Sequence, residues 1–260
     1  MDSMCCTKRA MLSPEFQHWM NLMQHKHVLH RKLWEWCFIA QALREHGMLI
    51  SGKFGLGFGV GRDPLTSLFA SLGARILATD LDTKESAAAG WAATSQHSDN
   101  KNMLNLKGIC RAQQFESLVE FEFSNMNYLP QRYIGRFDFI WSSCALEHLG
   151  SLENGVNFIL NSIDCLKPGG IAVHTTEFNL SSNSETLETG LTVLFRRKDI
   201  EGIVEKVKKL GCHIHMDWNY GDQPEDYHVD VPPYSHDPHL KLLIAKYIVT
   251  SIGIVIIKPI

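Results

Sequence analysis

Residues 56–82 read LGFGVGRDPLTSLFASLGARILATDLD, and this stretch decides the fold. It begins with an apolar residue and then brings three glycines at alternate positions, Gly57, Gly59 and Gly61. Residues 65–72 follow with apolar side chains at three- and four-residue spacing, which is the period of a helix that buries one face. The stretch therefore predicts the end of a strand, a glycine loop, a helix and a second strand in succession.

The boundaries of these elements indicate a nucleotide-type site. Asp63 is the predicted N-cap of the helix and Pro64 fits its first position, so the glycine loop leads into a helix N-terminus, where backbone N–H groups can meet a ligand. The second strand, 75–79, leads to Asp80, where an acid can accept hydrogen bonds from a ribose. Arg62 stands where a dinucleotide-binding loop has its third glycine, so an NAD-dependent oxidoreductase is the less favoured interpretation.

Strand and helix patterns alternate along the rest of the chain, which is typical of a parallel sheet covered by helices. We predict an α/β fold with a Rossmann-like, seven-stranded, mostly parallel sheet, helices on both faces and an N-terminal helical extension. The predicted strands are 52–56, 75–79, 118–123, 137–142, 171–175, 213–218 and 251–257.

The predicted organisation is an N-terminal helical segment, 1–47, followed by one globular unit, 48–260. An irregular loop rich in Pro, Asp and His, 219–238, is expected on the substrate side. A helix predicted over 13–46 either packs on the sheet or forms a lid over the ligand. The side chains that would act in such a lid are Arg31, Lys32, Trp34 and Glu35.

Composition excludes several classes of function. With 45% hydrophobic residues and a formal net charge of -3, the chain is typical of a globular protein and has no strongly basic balance, so no nucleic-acid partner is expected. Its seven cysteines show no C-x-x-C spacing, which favours thiols in a reducing compartment. The apolar window 242–260 is interrupted by lysine and indicates a buried strand, and the N-terminus lacks a secretory signal. We expect a cytoplasmic protein without a membrane partner.

Three segments resemble the class I S-adenosylmethionine (SAM)-dependent methyltransferases. Residues 56–82 resemble their first motif and the acidic strand end after it. FDFIWSSCALEHL, at 137–149, is similar to their fourth-strand motif, and LKPGG, at 166–170, is similar to the turn before their fifth strand. The resemblance covers roughly residues 50–180 and implies SAM as the cofactor.

The resemblance also implies which residues meet SAM. The glycines surround its methionine part, Asp80 holds the ribose, Leu81 lies beside the adenine, and Asn125 and Met126 meet the adenine from the third strand. The residues expected to bind the cofactor are Gly57, Phe58, Gly59, Gly61, Asp80, Leu81, Asn125, Met126 and Ser142.

Polar residues after the fourth and fifth strands are the predicted catalytic groups, since ligands lie beyond the carboxyl ends of parallel strands. His148 is the first candidate for a general base, because an imidazole titrates near neutral pH. Glu147 or Glu177 could orient it, and His174 is a further candidate. The alternative is that Glu147 and His148 merely begin the next helix.

A metal site is the less favoured alternative. His213 and His215 alternate along a predicted strand, so both imidazoles would lie on one face. Together with His148 and Glu177 they could bind a divalent ion that polarises a substrate hydroxyl. We predict no metal, and a divalent ion remains the second choice.

We therefore expect a SAM-dependent methyltransferase that acts on a small polar metabolite, by O-methylation of a sugar or natural-product hydroxyl. The alternatives are an N- or C-methyltransferase and a catalytically silent protein that binds SAM or a partner. The sequence does not identify the acceptor, the methylated position or the oligomeric state.

Overall fold

One mixed sheet forms the centre of the computed structural model, which describes residues 1–82 and 97–260. Five neighbouring strands are parallel, in the order β4-β3-β2-β5-β6, and β9 continues the sheet antiparallel to β6. β1 lies between β9 and β7, and β8 pairs with β9. The nine strands are β1 (Ser3–Cys5), β2 (Phe54–Phe58), β3 (Arg75–Asp80), β4 (Val119–Phe123), β5 (Phe137–Ser143), β6 (Leu166–Asn179), β7 (Met216–Asp217), β8 (Leu242–Ile244) and β9 (Tyr247–Ile257).

Helices cover both faces of this sheet. The helices of the described residues are α1 (Lys8–Met11), α2 (Pro14–Leu22), α3 (Arg31–Glu45), α4 (Leu65–Ser71), α5 (Ala112–Leu118), α6 (Leu152–Ile163) and α7 (Arg197–Lys209). One core, with Trp34, Phe69 and Trp141, lies on the side of α3 and α4. The other, with Phe58 and Phe158, lies on the side of α6 and α7. Two buried layers around one sheet confirm the predicted α/β class.

The predicted strands correspond to β2, β3, β4, β5, β6, β7 and β9, with two additions. The sheet has nine strands rather than seven, because β1 and β8 extend it. The prediction for 213–218 was too long: β7 holds two residues, and His213 makes an isolated bridge to Ile257. β1 and β8 hold three residues each, too few for the alternation of side chains to reveal a strand.

The predicted helix 13–46 is two helices, α2 and α3. Gln24 adopts a left-handed backbone with φ 55°, and the polar run that follows provides no apolar face for a helix to bury. α3 begins again where the imidazole of His30 accepts a hydrogen bond from the N–H of Lys32. Ten of its residues are buried, so this helix is a packing layer on the sheet, in contact with β5, β6 and β9.

No helix among the described residues is long and apolar enough to cross a membrane. All seven cysteines lie in the described part of the chain and carry thiols without disulfide bonds. Six of them are buried, and Cys144 is half-buried.

Candidate active site

The glycine loop leaves β2 at the carboxyl edge of the parallel strands. Gly59 and Gly61 have φ angles of 55° and 52°, a left-handed backbone that glycine adopts without strain. A Cβ atom at Gly59 would lie 2.9 Å from the Cβ of Ala145, and one at Gly57 would lie 2.4 Å from the Trp141 ring. A side chain is therefore excluded at Gly57 and at Gly59, and Gly59 and Gly61 line a cavity of about 410 Å³.

Asp80 is the last residue of β3 and lines the same cavity. Its carboxylate accepts hydrogen bonds from the backbone N–H groups of Gly61 at 3.1 Å, Leu81 at 2.8 Å and Ser98 at 3.1 Å. Burial raises its pKa, because little water remains to stabilise the charge. His97 Nδ1 also lies 3.4 Å from this carboxylate, so a ligand hydroxyl at Asp80 would share its acceptor positions with these groups.

The segment that follows β4 forms the wall of the cavity beside Asp80. Ser124 donates its backbone N–H to the carbonyl of Asp80 at 2.8 Å, which ties the end of β4 to the end of β3. Asn125 and Met126 follow and both line the cavity. The thioether of Met126 can pack on the face of an aromatic ring, and the amide of Asn125 can accept a hydrogen bond from an amino group on the ring edge.

The opposite end of the cavity lies after β5 and contains His148. Its Nδ1–H donates to the carbonyl of Leu191 at 2.8 Å, since a carbonyl oxygen can only accept, and this makes Nε2 the basic nitrogen. Nε2 lies 3.9 Å from Oε1 of Glu147. Burial lowers the pKa of His148 to about 4, so the ring is neutral at pH 7 and can accept a proton.

Two basic residues of α3 reach this end of the site. Lys32 lines the cavity, with Nζ 3.2 Å from Oγ of Ser143 and 3.4 Å from the Asp63 carboxylate. Arg31 lies behind it, with Nη2 2.5 Å from Oε1 of Glu177 and Nη1 3.4 Å from Oε1 of Glu35. The contacts of Asp63 correct the predicted N-cap: α4 begins at Leu65, and the Asp63 carboxylate pairs with Lys32 instead.

Glu35, Glu147 and Glu177 form a buried acidic layer under this end of the cavity. Glu35 and Glu147 are fully buried, and Glu177 is 5% exposed. Burial raises the pKa of Glu35, but the positive charges of Lys32 and Arg31 lower it by more, so Glu35 is ionised. Burial raises the pKa of Glu147 to about 7 and that of Glu177 to about 7, and the nearby charge of Glu35 raises both further.

Ser142 and His174 lie on the other face of the sheet. The Ser142 hydroxyl is 2.8 Å from Nδ1 of His174, whose Nε2 is 3.4 Å from Oγ of Ser162 in α6. All three residues are fully buried, and none of them lines the cavity. Strand alternation explains this placement, because His174 and Glu177 are three positions apart on β6 and so face opposite sides. The structure thus separates His174 from the other catalytic candidates.

The burial of His174 has a consequence for stability that can be measured. Burial lowers its pKa from 6.5 to about 3. Between these two pH values, His174 is therefore protonated in the unfolded chain and neutral in the folded chain. This contribution to stability is present above pH 6.5 and is lost as the pH falls towards 3. As the pH is lowered from about 6 to about 4, we expect the unfolding free energy of His174→Gln to fall less steeply than that of the wild type. The difference in slope should be about 1.4 kcal/mol per pH unit.

Urea denaturation at a series of pH values tests this expectation. His213→Gln is the matched control, since His213 is exposed, and it should leave the slope unchanged. An equal slope in wild type and His174→Gln would show that His174 is protonated in the folded protein.

His213 and His215 lie at the opposite edge of the sheet from the cavity. His213 bridges to Ile257, which pairs with Ile171 near the start of β6, whereas the cavity lies at the carboxyl ends of the parallel strands. His215 is exposed and lies 3.1 Å from the Asp2 carboxylate. These two imidazoles are therefore not brought together with His148 and Glu177.

The structure places seven of the predicted site residues on the cavity and five others outside its lining. Those on the cavity are Gly59, Gly61, Asp80, Leu81, Asn125, Met126 and His148. Gly57 and Phe58 lie within β2, Glu147 is buried beside the cavity, Glu177 lies behind Arg31, and Ser142 is buried on the other face of the sheet. Sequence reasoning missed Val60, His97, Ser124, Gly190 and Leu191, which also line it.

Comparisons with known proteins agree with this geometry. Residues 56–174 match the family model of the methyltransferase domain. No curated protein matches the sequence at a significant level. The matched segment runs from the glycine loop through β5 to His174, so it contains the strand ends that form the cavity.

Solved structures show the same fold at low sequence identity. A candidate methyltransferase of Bacillus halodurans superposes with a TM-score of 0.51 at 12% identity, covering 85% of this chain and 99% of that one. The cyclase SpnF gives 0.51 at 18% identity, covering 86% and 80%. A candidate sarcosine dimethylglycine methyltransferase of Galdieria sulphuraria gives 0.42 at 16% identity, and the match spans 71% of this chain and 53% of that protein.

The matched model, the glycine loop and the strand order together indicate a class I, Rossmann-like methyltransferase domain at residues 56–174, with SAM as the methyl donor. The expectation from the sequence is confirmed for the class and for the cofactor.

Proposed function

We propose that this protein transfers the methyl group of SAM to a hydroxyl group of a small polar metabolite, such as a sugar or a natural product. The observation that carries the proposal is the continuity of one cavity. The glycine loop and Asp80, which we call the cofactor end, line the same cavity as Lys32 and His148, which we call the acceptor end. A cofactor and an acceptor can therefore meet without bulk water between them.

The residues of the cofactor end fit SAM. The left-handed Gly59 and Gly61 leave space where side chains would otherwise project, and this space suits the methionine part. Asp80 can hold the ribose hydroxyls, with Leu81 and Met126 beside the adenine. When bound, SAM supplies a methyl group on a sulfonium sulfur. A nucleophile attacks the methyl carbon in line, and S-adenosylhomocysteine leaves.

At the acceptor end, this chain's residues orient a hydroxyl and take up its proton. His148 is neutral because burial lowers its pKa to about 4, and its Nε2, 3.9 Å from Oε1 of Glu147, is the nitrogen that would accept the hydroxyl proton. Lys32 and Ser143 offer donors that can position the acceptor. A hydroxyl acceptor needs such a base, whereas an amine that is already neutral does not.

Methyl transfer from SAM with a deuterated methyl group tests the proposal. Incubation with pools of hydroxylated metabolites should give a product whose mass reports the label, and fragmentation should place it on oxygen. Label on nitrogen or carbon would support the alternative methyltransferases. SAM binding without product or S-adenosylhomocysteine (SAH) from any pool would support a silent binding protein.

We expect Asp80→Asn to weaken SAM binding by about 1.5–3 kcal/mol, or roughly ten- to a hundredfold, because the ribose loses a charged acceptor. Asparagine keeps the size of the side chain, which matters since Asp80 is 7% exposed and accepts three backbone N–H groups. Calorimetry measures the affinity, and the melting temperature reports folding. The exposed Asp99→Asn is the control, and an unchanged SAM affinity in Asp80→Asn would remove Asp80 from the ribose site.

A further inference from the structure

Three potential metal ligands converge beneath the acceptor end of the cavity. The Cys144 thiol and one carboxylate oxygen each from Glu147 and Glu177 all lie within 4.8 Å of one another. We call this group the thiol–carboxylate cluster. Cys144 is held in it by a left-handed backbone with φ 46°, a conformation that a non-glycine residue rarely adopts.

Two oxygens of this cluster lack the partners that burial normally requires. Among the residues that the structure describes, neither Oε1 of Glu147 nor Oε2 of Glu177 has a hydrogen-bond partner. The other oxygen of each is bound, to the Thr176 hydroxyl at 3.0 Å and to Arg31 at 2.5 Å. Buried polar atoms without a partner are rare and need an explanation, and one bound ion would satisfy both of these oxygens.

The charges around the cluster point to a cation. The cationic side chains of Arg31 and Lys32 face four carboxyl groups, those of Glu35, Asp63, Glu147 and Glu177. With every carboxyl group ionised, the surroundings hold two more negative than positive charges. Burying such an excess is unfavourable unless something neutralises it. A divalent cation would offset most of it, leaving one negative charge once the Cys144 thiol has lost its proton.

The space available favours a metal ion over an organic ammonium group. Glu147 is fully buried and Glu177 is 5% exposed, and neither lines the cavity. Cys144 does line it, so the cluster opens to the acceptor end on the thiol side. A thiolate with two carboxylates suits a borderline divalent ion such as Zn²⁺ or Co²⁺.

We propose that Cys144, Glu147 and Glu177 bind one divalent metal ion through the thiolate and two carboxylates, with an open position towards the cavity. Three protein ligands and an open position are the arrangement of catalytic metal sites. Without metal, the Cys144 thiol donates a hydrogen bond to Glu35 at 3.0 Å. Metal binding forms a metal–sulfur bond and releases the thiol proton to solvent.

This inference rests on the proposed O-methylation, which it deepens. A metal held there by Cys144, Glu147 and Glu177 would polarise a hydroxyl oxygen at the open position and make its proton easier to remove. The expected acceptor is therefore a metabolite whose hydroxyl can bind a divalent ion. Arg31 would then act as a positioning residue, since it holds the second oxygen of Glu177.

Cobalt titration of the chelator-treated protein tests the site directly. We expect about one Co²⁺ per chain and an absorption band from thiolate-to-cobalt charge transfer. Cys144→Ser should lose that band, while Cys110→Ser, which changes another buried thiol, should keep it. Glu147→Gln and Glu177→Gln should weaken Co²⁺ binding at least about tenfold, with the exposed Glu153→Gln as their control.

The result that overturns the proposal is either wild-type protein that binds no stoichiometric Co²⁺ or a charge-transfer band that survives in Cys144→Ser. SAH binding is measured by calorimetry on the same samples. If the protein binds SAH normally but binds no Co²⁺, the proposed metal site is ruled out and the methyltransferase proposal stands. Cobalt binding without SAH binding would leave the metal site and remove the proposed function.

Discussion

His148→Gln should lower kcat by about 10²- to 10⁴-fold, the usual contribution of a positioned base, while the dissociation constant of SAH stays unchanged. The reason is its place in the cavity. His148 follows β5 at the acceptor end, and its Nδ1–H bond to Leu191 aligns Nε2 as the proton acceptor. Glutamine keeps a polar side chain of similar length but has no basic nitrogen.

Steady-state kinetics with the identified acceptor and calorimetry with SAH measure the two quantities. His213→Gln is the matched control, because the sequence offers both histidines as candidates and the structure places His213 at the opposite edge of the sheet. Turnover near that of the wild type in His148→Gln would show that His148 is structural.

Arg31→Met should lower the unfolding free energy by about 3–5 kcal/mol, the range for removing one partner of a buried ion pair. Arg31 has close contacts with Glu177 at 2.5 Å and Glu35 at 3.4 Å, and both carboxyl groups are buried. Methionine fills a similar volume, so the change reports charge more than packing. With the guanidinium removed, burial of two carboxylates opposes the docking of α3 on the sheet.

Urea denaturation at pH 7 measures the effect. Arg9→Met provides the comparison, because its pair with Asp222 is exposed on both sides and should change stability by less than about 1 kcal/mol. A loss below about 1 kcal/mol in Arg31→Met would mean that the buried carboxyl groups take up protons or a cation without penalty.

Local signals in the sequence predicted the strand, the glycine loop and the strand-end acid that line one part of the cavity. The glycine loop and Asp80 depend on a strand, a turn and a helix that are neighbours in the chain, so their spacing is visible in 56–82. The structure adds why the loop is glycine-rich: a Cβ atom at Gly59 would contact Ala145 after β5. That contact joins residues distant in the chain, and no local pattern contains it.

The acceptor end was predicted less completely, because its residues are brought together by packing. Ser142 and His174 were chosen since they lie near strand ends, but their strand positions turn them towards α6. Alternation along β6 could have separated His174 from Glu177 at the outset. Gly190 and Leu191 lie in a segment without periodicity, and no sequence signal indicates that it reaches the cavity.

The buried charges of α3 were ambiguous in sequence for a different reason. Arg31, Lys32 and Glu35 are the residues expected on a solvated helix face as much as in a lid. Their burial follows from the position of α3 on β5, β6 and β9, which is a property of the whole fold. Glu35, fully buried under the acceptor end, has its partners on α3, the β5 loop and β9.

Calorimetric titration of the purified chain with SAM, SAH and NAD tests the central claim most directly. The glycine loop without a third glycine, Asp80 and the matched methyltransferase domain predict saturable binding of SAM and SAH at one site per chain and no binding of NAD. Saturable binding of NAD, with no heat from SAM or SAH, would contradict the assignment of this protein to the SAM-dependent methyltransferases.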